Sequence, residues 1–361
     1  MNITTPTVLL NWEVCKANIR RMVEKAKRNH VRLRPHLKTA QCYQIARYFK
    51  ELGVNSITVS SLSMAAYFAK DGWDDITVAF PVNVREIDSI NEWAGKITLN
   101  LLVVNAESLS LLKLGLKHPV GIFIKIDAGT NRTGNLPSDT TSIDSCLQAV
   151  ESSPLLNFKG FLTHAGHSYK ARSRTEILQV HEDTTTILKE LKERYSDRYP
   201  HLQLCPGDTP TCSVAEDWEG IHEIRPGNFV FYDLMQVQTG ACQMSDIAVA
   251  LACPVVAKHL DRKEVIVYGG GIHLSKDRMT WEGKEVFGLP VILNDNGWEM
   301  PEKGCHVRSV SQEHGIISCS GSFYGKLEIG GLVGILPVHS CMMVDIAKEY
   351  LLTSGEVWKK M

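Results

Sequence analysis

Through its first two-thirds the chain switches repeatedly between short β-rich runs and helical periodicities, and few folds tolerate that alternation for so long. Ile19, Met22, Val23 and Ala26 recur at helical spacing behind Asn11, which is placed as an N-cap. "VRLR" then reads as a strand, and Cys42, Ile45, Ala46 and Phe49 repeat the helical spacing until Gly53 ends it. "SITVS", "DITVAF", "ITLNLLVV", "GIFIKID", "LNFKGFLTH", "LQL" and "HEIRP" continue the strand series. Helices are expected between them, near Met64–Ala69, Val84–Trp93, Glu107–Leu114, Ile143–Val150 and Ser173–Tyr195. Strands separated by helices must run parallel, because the chain returns to the same end before each one. So many βα units in roughly 230 residues fit a closed (β/α)8 TIM-type barrel better than an open doubly wound sheet. No G-x-G-x-x-G follows the first strand, which weakens a dinucleotide-binding version of the open sheet.

The pattern changes near Asp246. "IAVALACPVVAKHL", "EVIVYGGG", "HGIISCS" and "LVGILPVHSCMMVDIAKEYLL" are β-rich, with Gly and Pro between them. A barrel over 11–245 and a smaller, mostly β domain over 246–361 are therefore expected, and "TPTVLL" within residues 1–10 can add a strand. A chain of 361 residues is long enough for two such domains. Its net charge of −1 gives no reason to expect nucleic acid or an anionic membrane as a partner. No apolar run approaches the roughly 20 residues that span a bilayer, and no secretory leader is apparent. The 10 cysteines are scattered along the chain, the pattern of reduced thiols in a cytoplasmic protein.

Barrel enzymes carry their reactive groups where strands end. Lys38 follows "VRLR", and Arg132 lies in "DAGTNRTG" after "GIFIK". His164 closes its strand in "THAGHSY", with Tyr169 just beyond. Thr209 follows "LQL" in "PGDTPT", and Arg225, Gly227 and Asn228 follow "HEI". Each has an ordinary reading as a solvated lysine, a structural histidine, a surface arginine or a turn. Five such positions on one barrel face favour a site. The backbone of Gly227 and Asn228, with the Thr209 hydroxyl, suits a phosphate. A lysine opposite that phosphate can bond to a carbonyl if cationic or apolar surroundings lower its pKa. Phosphate grip, nucleophilic lysine and ring partners together describe a site for pyridoxal 5′-phosphate.

"RPHLKTA", "DAGTNRTG", "THAGHSY", "EIRPGNFVFYD" and "PVHSC" resemble the D-serine dehydratase and D-threonine aldolase branch of the alanine-racemase-like pyridoxal-phosphate enzymes, over nearly the whole chain from Pro6 to Asp345. The resemblance implies a cofactor-binding barrel followed by a β domain, working as a homodimer. It places Lys38 at the covalent attachment point and Arg132 near the phenolic oxygen of the cofactor ring. His164 would pack on the ring face, Tyr169 would stand near the cofactor, and Thr209, Gly227 and Asn228 would grip the phosphate. Arg225 corresponds to the arginine that faces the pyridine nitrogen in alanine racemases.

"LPVHSCMMVD" bears on the reaction. If the segment is extended, His339 and Cys341 point to one face. At the matching position the dehydratases have His and Cys, a donor pair suited to zinc. The aldolases have an aspartate for the cysteine and a harder ion such as manganese. Cys341 therefore favours a zinc-dependent D-serine dehydratase, which eliminates water from a β-hydroxy D-amino acid to give pyruvate and ammonia. The alternative is a D-threonine aldolase giving glycine and an aldehyde. A racemase or a non-catalytic cofactor carrier fits less well, the carriers lacking a second domain.

Overall fold

The computed structural model describes residues 2–361, which form two compact units. Residues 20–227 make up one, and the residues up to Ile19 join Asn228–Met361 in the other.

The chain begins with β1 (Thr7–Leu10) and α1 (Trp12–Arg28), and Ile19, Met22, Val23 and Ala26 are all buried as their spacing predicts. Six parallel strands follow in sequential order within one sheet of the 20–227 unit. They are β3 (Ile57–Val59), β4 (Asp75–Pro81), β5 (Thr98–Val103), β6 (Val120–Ile126), β7 (Leu156–Thr163) and β8 (Gln203–Pro206). Two short strands, β2 (Arg32–Leu33) and β9 (Glu223–Ile224), pair parallel with each other. Backbone bonds close the ring on both sides of that pair. Leu37 N–H reaches Thr58 O and Thr58 N–H reaches Pro35 O, each at 2.9 Å. On the other side, His222 N–H donates to Leu204 O at 3.1 Å and Arg225 N–H to Pro206 O at 3.2 Å. The expected eight-stranded barrel is present. Its strand "VRLR" contracts to two residues, Arg32 and Leu33, although Arg34 N–H and His36 N–H go on to bond Ile224 O at 3.0 Å and Pro226 O at 2.8 Å.

Helices α2 (Tyr43–Glu51), α3 (Leu62–Lys70), α4 (Ile87–Ala94), α5 (Ala106–Gly115), α6 (Thr140–Glu151), α7 (Arg174–Tyr195) and α8 (Thr209–Val214) provide the crossovers. Ser61, Asn105, Asp139, Ser173 and Asp208 each accept a backbone N–H at the start of the helix they precede. Such caps satisfy otherwise orphaned donors and contribute about 1 kcal/mol apiece.

In the other unit, β10 (Val249–His259) organises the sheet. It pairs antiparallel with β1, with β11 (Glu264–Tyr268) and with a later strand, Leu332–Pro337. Two ribbons, β12 (Met279–Trp281) with β13 (Lys284–Val286) and β15 (Leu293–Asn294) with β16 (Gly297–Trp298), flank β14 (Gly288–Val291) in sequence. The remaining strands are β17 (His306–Val310), β18 (His314–Ser318), β19 (Leu332–Pro337), β20 (Glu349–Leu352) and β21 (Val357–Lys359). "TPTVLL" thus supplies β1 to this sheet, between β10 and β20. Four short helices complete the unit: α9 (Leu234–Thr239), α10 (Gly271–Leu274), α11 (Gly321–Lys326) and α12 (Ser340–Ile346). Leu234, Ile247, Ala250, Leu289, Leu336 and Val338 form a core cluster beneath them. The glycines at 269–271 permit a close backbone approach. A Cβ on Gly270 would stand 2.4 Å from Gln312 O, and one on Gly269 2.3 Å from Cys253 Sγ. No helix of the described residues is long and apolar enough to cross a membrane.

Candidate active site

The strand ends of the barrel bring basic groups together. Lys38 stands exposed in the turn after β2. Its backbone N–H lies 3.4 Å from Nδ1 of His36, two residues earlier. His36 is held well below the usual histidine pKa, chiefly by burial and further by the charges of Lys38, His164 and Arg225. His164 lies directly after β7, with Nδ1 2.5 Å from Gly207 O. Burial pushes its pKa down to about 3 despite that bond, and Lys38, Arg132 and Lys125 push the same way. A neutral ring bound to a carbonyl through Nδ1 carries its proton there, leaving Nε2 as an acceptor. Tyr169 follows in a short 3-10 turn, its ring centroid 6.2 Å from that of His164.

Arg132 is exposed in the loop after β6. Lys125, on β6 itself, falls to about 8 because burial disfavours its charge and Arg132 repels it, with Asp127 opposing. Arg225 is buried after β9, 2.5 Å from Glu223 and 4.4 Å over the ring of Phe123. Burial raises the pKa of Glu223, but Arg225, Arg34 and Arg32 outweigh it and hold the carboxyl below its ordinary value. Arg34 in turn grips Asp75 through two nitrogens, at 2.8 and 2.9 Å. One buried carboxylate thereby orients three arginines.

Two features bear on the expected phosphate grip. Thr209, at the start of α8, is fully buried, and its hydroxyl oxygen has no hydrogen-bond partner. Its backbone N–H donates to Tyr169 Oη at 3.4 Å. Gly227 passes so close to the lysine turn that a Cβ there would meet His36 O at 2.8 Å. Asn228 behaves differently. Its Nδ2 donates to Asp233 Oδ2 at 2.7 Å, to Ser340 Oγ at 2.9 Å and to Cys341 Sγ at 3.5 Å.

His339 and Cys341 come together, but not by strand alternation. β19 ends at Pro337; His339 is the N-cap residue of α12 and Cys341 lies in its first turn. A reversal of the backbone, rather than the pleat, therefore converges the two side chains. His339 Nδ1 stands 3.5 Å from Asp233 Oδ2. Burial would lower the pKa of His339, yet its hydrogen bond to Cys341 and the charges of Cys341, Asp233 and Asp277 raise it to about 9. Among the described residues no three or more His, Cys, Asp or Glu side chains gather as a metal cage, so these two form an open pair of donors.

Sequence reasoning passed over His36, Lys125, Glu223 and Asp233. Their signals were present: a histidine two places before the lysine, a lysine inside the apolar run "GIFIKI", and acidic residues inside "HEIRP" and "FVFYD".

A (β/α)8 barrel with a lysine, two neutral histidines and buried arginines at its strand ends is the arrangement of a barrel enzyme whose strand ends suit an anionic group. The chain belongs to the family of the alanine racemase N-terminal domain, whose model matches residues 11–234. A second model, for a serine dehydratase domain, matches residues 248–353. The chain is 29% identical to the D-serine dehydratase of Dictyostelium discoideum, over 98% of this chain and 94% of that one. It is 28% identical to the D-threo-3-hydroxyaspartate dehydratase of Delftia sp. strain HT23, over 94% and 92% of the two chains. The solved Delftia enzyme superposes with a TM-score of 0.91 at 25% identity, covering 100% of this chain and 98% of that one. That enzyme has also been solved with alanine replacing a histidine and, two residues further on, replacing a cysteine, the latter in a metal-free form.

Proposed function

We propose that this protein is a pyridoxal-phosphate- and zinc-dependent D-serine dehydratase, a lyase that removes water from β-hydroxy D-amino acids to give a 2-oxo acid and ammonia. One observation carries the reading: Lys38 stands near His36 and His164, both kept neutral chiefly by burial, and the strand ends of the same barrel hold a buried Thr209 hydroxyl with no partner. Named dehydratases similar to the chain along almost its whole length support it.

The residues fit the cofactor. The orphaned Thr209 Oγ1 and the backbone at Gly227 suit its phosphate, and Arg132, Lys125 and Arg225 add positive charge. When bound, pyridoxal phosphate supplies an electron sink for negative charge on the substrate's α-carbon. Lys38 would have two tasks: its Nζ would hold that group, and it would serve as the base toward the substrate's α-carbon. His164, barred from protonation by burial, offers an uncharged face to the ring. Glu223 fixes the guanidinium of Arg225, so that its charge can bias the protonation of the pyridine nitrogen.

His339 and Cys341 offer an imidazole nitrogen and a thiolate, a donor set suited to zinc rather than to an oxygen-seeking ion. The paired histidine and cysteine mutants of the Delftia enzyme support that assignment. Zinc supplies Lewis acidity for the departure of a β-hydroxyl. Neither donor acts on the α-carbon in this reading; they hold the ion.

The test is a product assay with D-serine, D-threonine and D-threo-3-hydroxyaspartate, before and after chelation. Pyruvate from D-serine that disappears with the chelator and returns with zinc is the expected result. Glycine and acetaldehyde from D-threonine, without 2-oxo acid from any substrate, would overturn it in favour of an aldolase.

A further inference from the structure

Asp233 lies at the end of "FVFYD", completely buried, and both of its carboxylate oxygens are engaged. Oδ1 accepts the backbone N–H of Gln236 at 3.0 Å and caps α9. Oδ2 accepts Asn228 Nδ2 at 2.7 Å, Ser340 N–H at 2.9 Å and Ser340 Oγ–H at 3.3 Å, and faces His339 Nδ1 at 3.5 Å. His339 Nδ1 is itself buried and makes no hydrogen bond, so the Asp233 carboxylate is the charge it faces. Asn228 spends its amide on the same group, reaching Asp233, Ser340 and Cys341 with Nδ2.

A cap needs one carboxylate oxygen, and Oδ1 already serves as one. The second oxygen, with Asn228, holds the turn from which both candidate ligands project. A buried carboxylate facing Nδ1 keeps the proton of a neutral imidazole on that nitrogen, so that Nε2 carries the lone pair. An amide N–H aimed at the Cys341 sulfur fixes the direction in which that sulfur presents its lone pairs. We propose that Asp233 and Asn228 are the positioning residues of the His339–Cys341 pair. Asp233 selects Nε2 of His339 as the donor atom, and Asn228 orients the sulfur of Cys341. The inference rests on the metal reading above. It moves the side chain of Asn228 from the phosphate grip to the metal pair.

The experiment measures metal binding by the purified full chain, independent of turnover. Zn2+ affinity is read by competition with a chromogenic chelator, and Co2+ is used as a probe because its thiolate charge-transfer band reports the metal–sulfur bond. Asp233→Asn and Asn228→Ala are expected to weaken Zn2+ binding by about 10–100-fold. Asn228→Ala is also expected to shift the Co2+–thiolate band, which a purely structural role would not do. Thermal unfolding of the chelated proteins separates this from misfolding. If Asp233→Asn unfolds, Asn228→Ala carries the test alone. Wild-type affinity in both variants, with an unmoved band, overturns the proposal while leaving the metal site standing. A wild-type protein that takes up neither ion, or that binds as well without His339 and Cys341, overturns the metal reading and this inference with it.

Discussion

His164 and His339 are the same side chain in opposite surroundings. At the barrel's strand ends, burial and neighbouring cations drive His164 down to about 3, and His36 is driven the same way. In the β-rich unit, a sulfur and two carboxylates lift His339 to about 9 against its burial. The first environment repels protons and welcomes an anion such as a phosphate ester. The second attracts positive charge, whether a proton or a metal ion that displaces it. One chain thus holds surroundings suited to an anion and surroundings suited to a cation, and the character of each can be read from what it does to an imidazole.

The sharpest way to break this comparison is to remove the lysine. Lys38→Ala is expected to abolish the visible absorption of the bound cofactor and to lower turnover by on the order of 10^4-fold. An unchanged absorption band in the variant would show that the anion site lies elsewhere. His339→Ala and Cys341→Ala attack the other half. Each is expected to lower 2-oxo acid formation by about 10^2–10^3-fold, the several kcal/mol that a Lewis acid supplies, while the absorption band persists. A band lost together with the metal would mean that the two sites do not have the separate tasks assigned to them.

Acid titration sharpens the comparison at lower energy. The unfolded chain binds a proton at His164 near 6.5, whereas the folded chain resists until about 3. Falling pH therefore favours the unfolded state across that window, and stability drops as pH falls below 6.5. By pH 5 the loss from this residue is about 2 kcal/mol, at 1.36 kcal/mol per unit. His164→Phe keeps a flat ring without a proton site, and is expected to flatten that limb of the denaturation profile. A wild-type curve flat between pH 7 and 5 would show that the ring is not held neutral.

How much of this could be read in advance depends on the kind of interaction. The barrel was legible because alternating strand and helix periodicities extend over many residues and leave few topologies. The placement of Lys38, His164 and Thr209 at strand ends was legible because each follows an apolar run read as a strand, where barrel chemistry gathers. The convergence of His339 and Cys341 was found for the wrong reason: the short α12 begins at Ser340, and an apolar "LPVHSCMMV" gives no sign of where its strand stops. Glu223 and Asp233 were illegible as partners. Their importance comes from burial among residues distant in sequence, which one-dimensional spacing does not encode. The side-chain partners of Asn228 were obscured by its neighbour, since Gly227 does approach the lysine turn while the next side chain turns to Asp233 and Ser340.

The smallest expected effect tests the fit of the anion site most directly. Thr209 Oγ1 is buried without a partner, and an unsatisfied buried hydroxyl is a cost that the fold would not ordinarily retain. A phosphate oxygen would satisfy it. Thr209→Val preserves the shape and removes only the hydroxyl, so the cavity argument does not apply and one hydrogen bond is at stake. Cofactor affinity, measured by absorbance titration of the cofactor-free protein, is expected to weaken by about 5–10-fold, or about 1 kcal/mol. The cofactor-free variant is expected to be at least as stable as wild type, because it no longer buries an unpaired oxygen. Unchanged affinity with lower stability would instead make Thr209 a structural group of α8, and the anion site would then rest on backbone and charge alone.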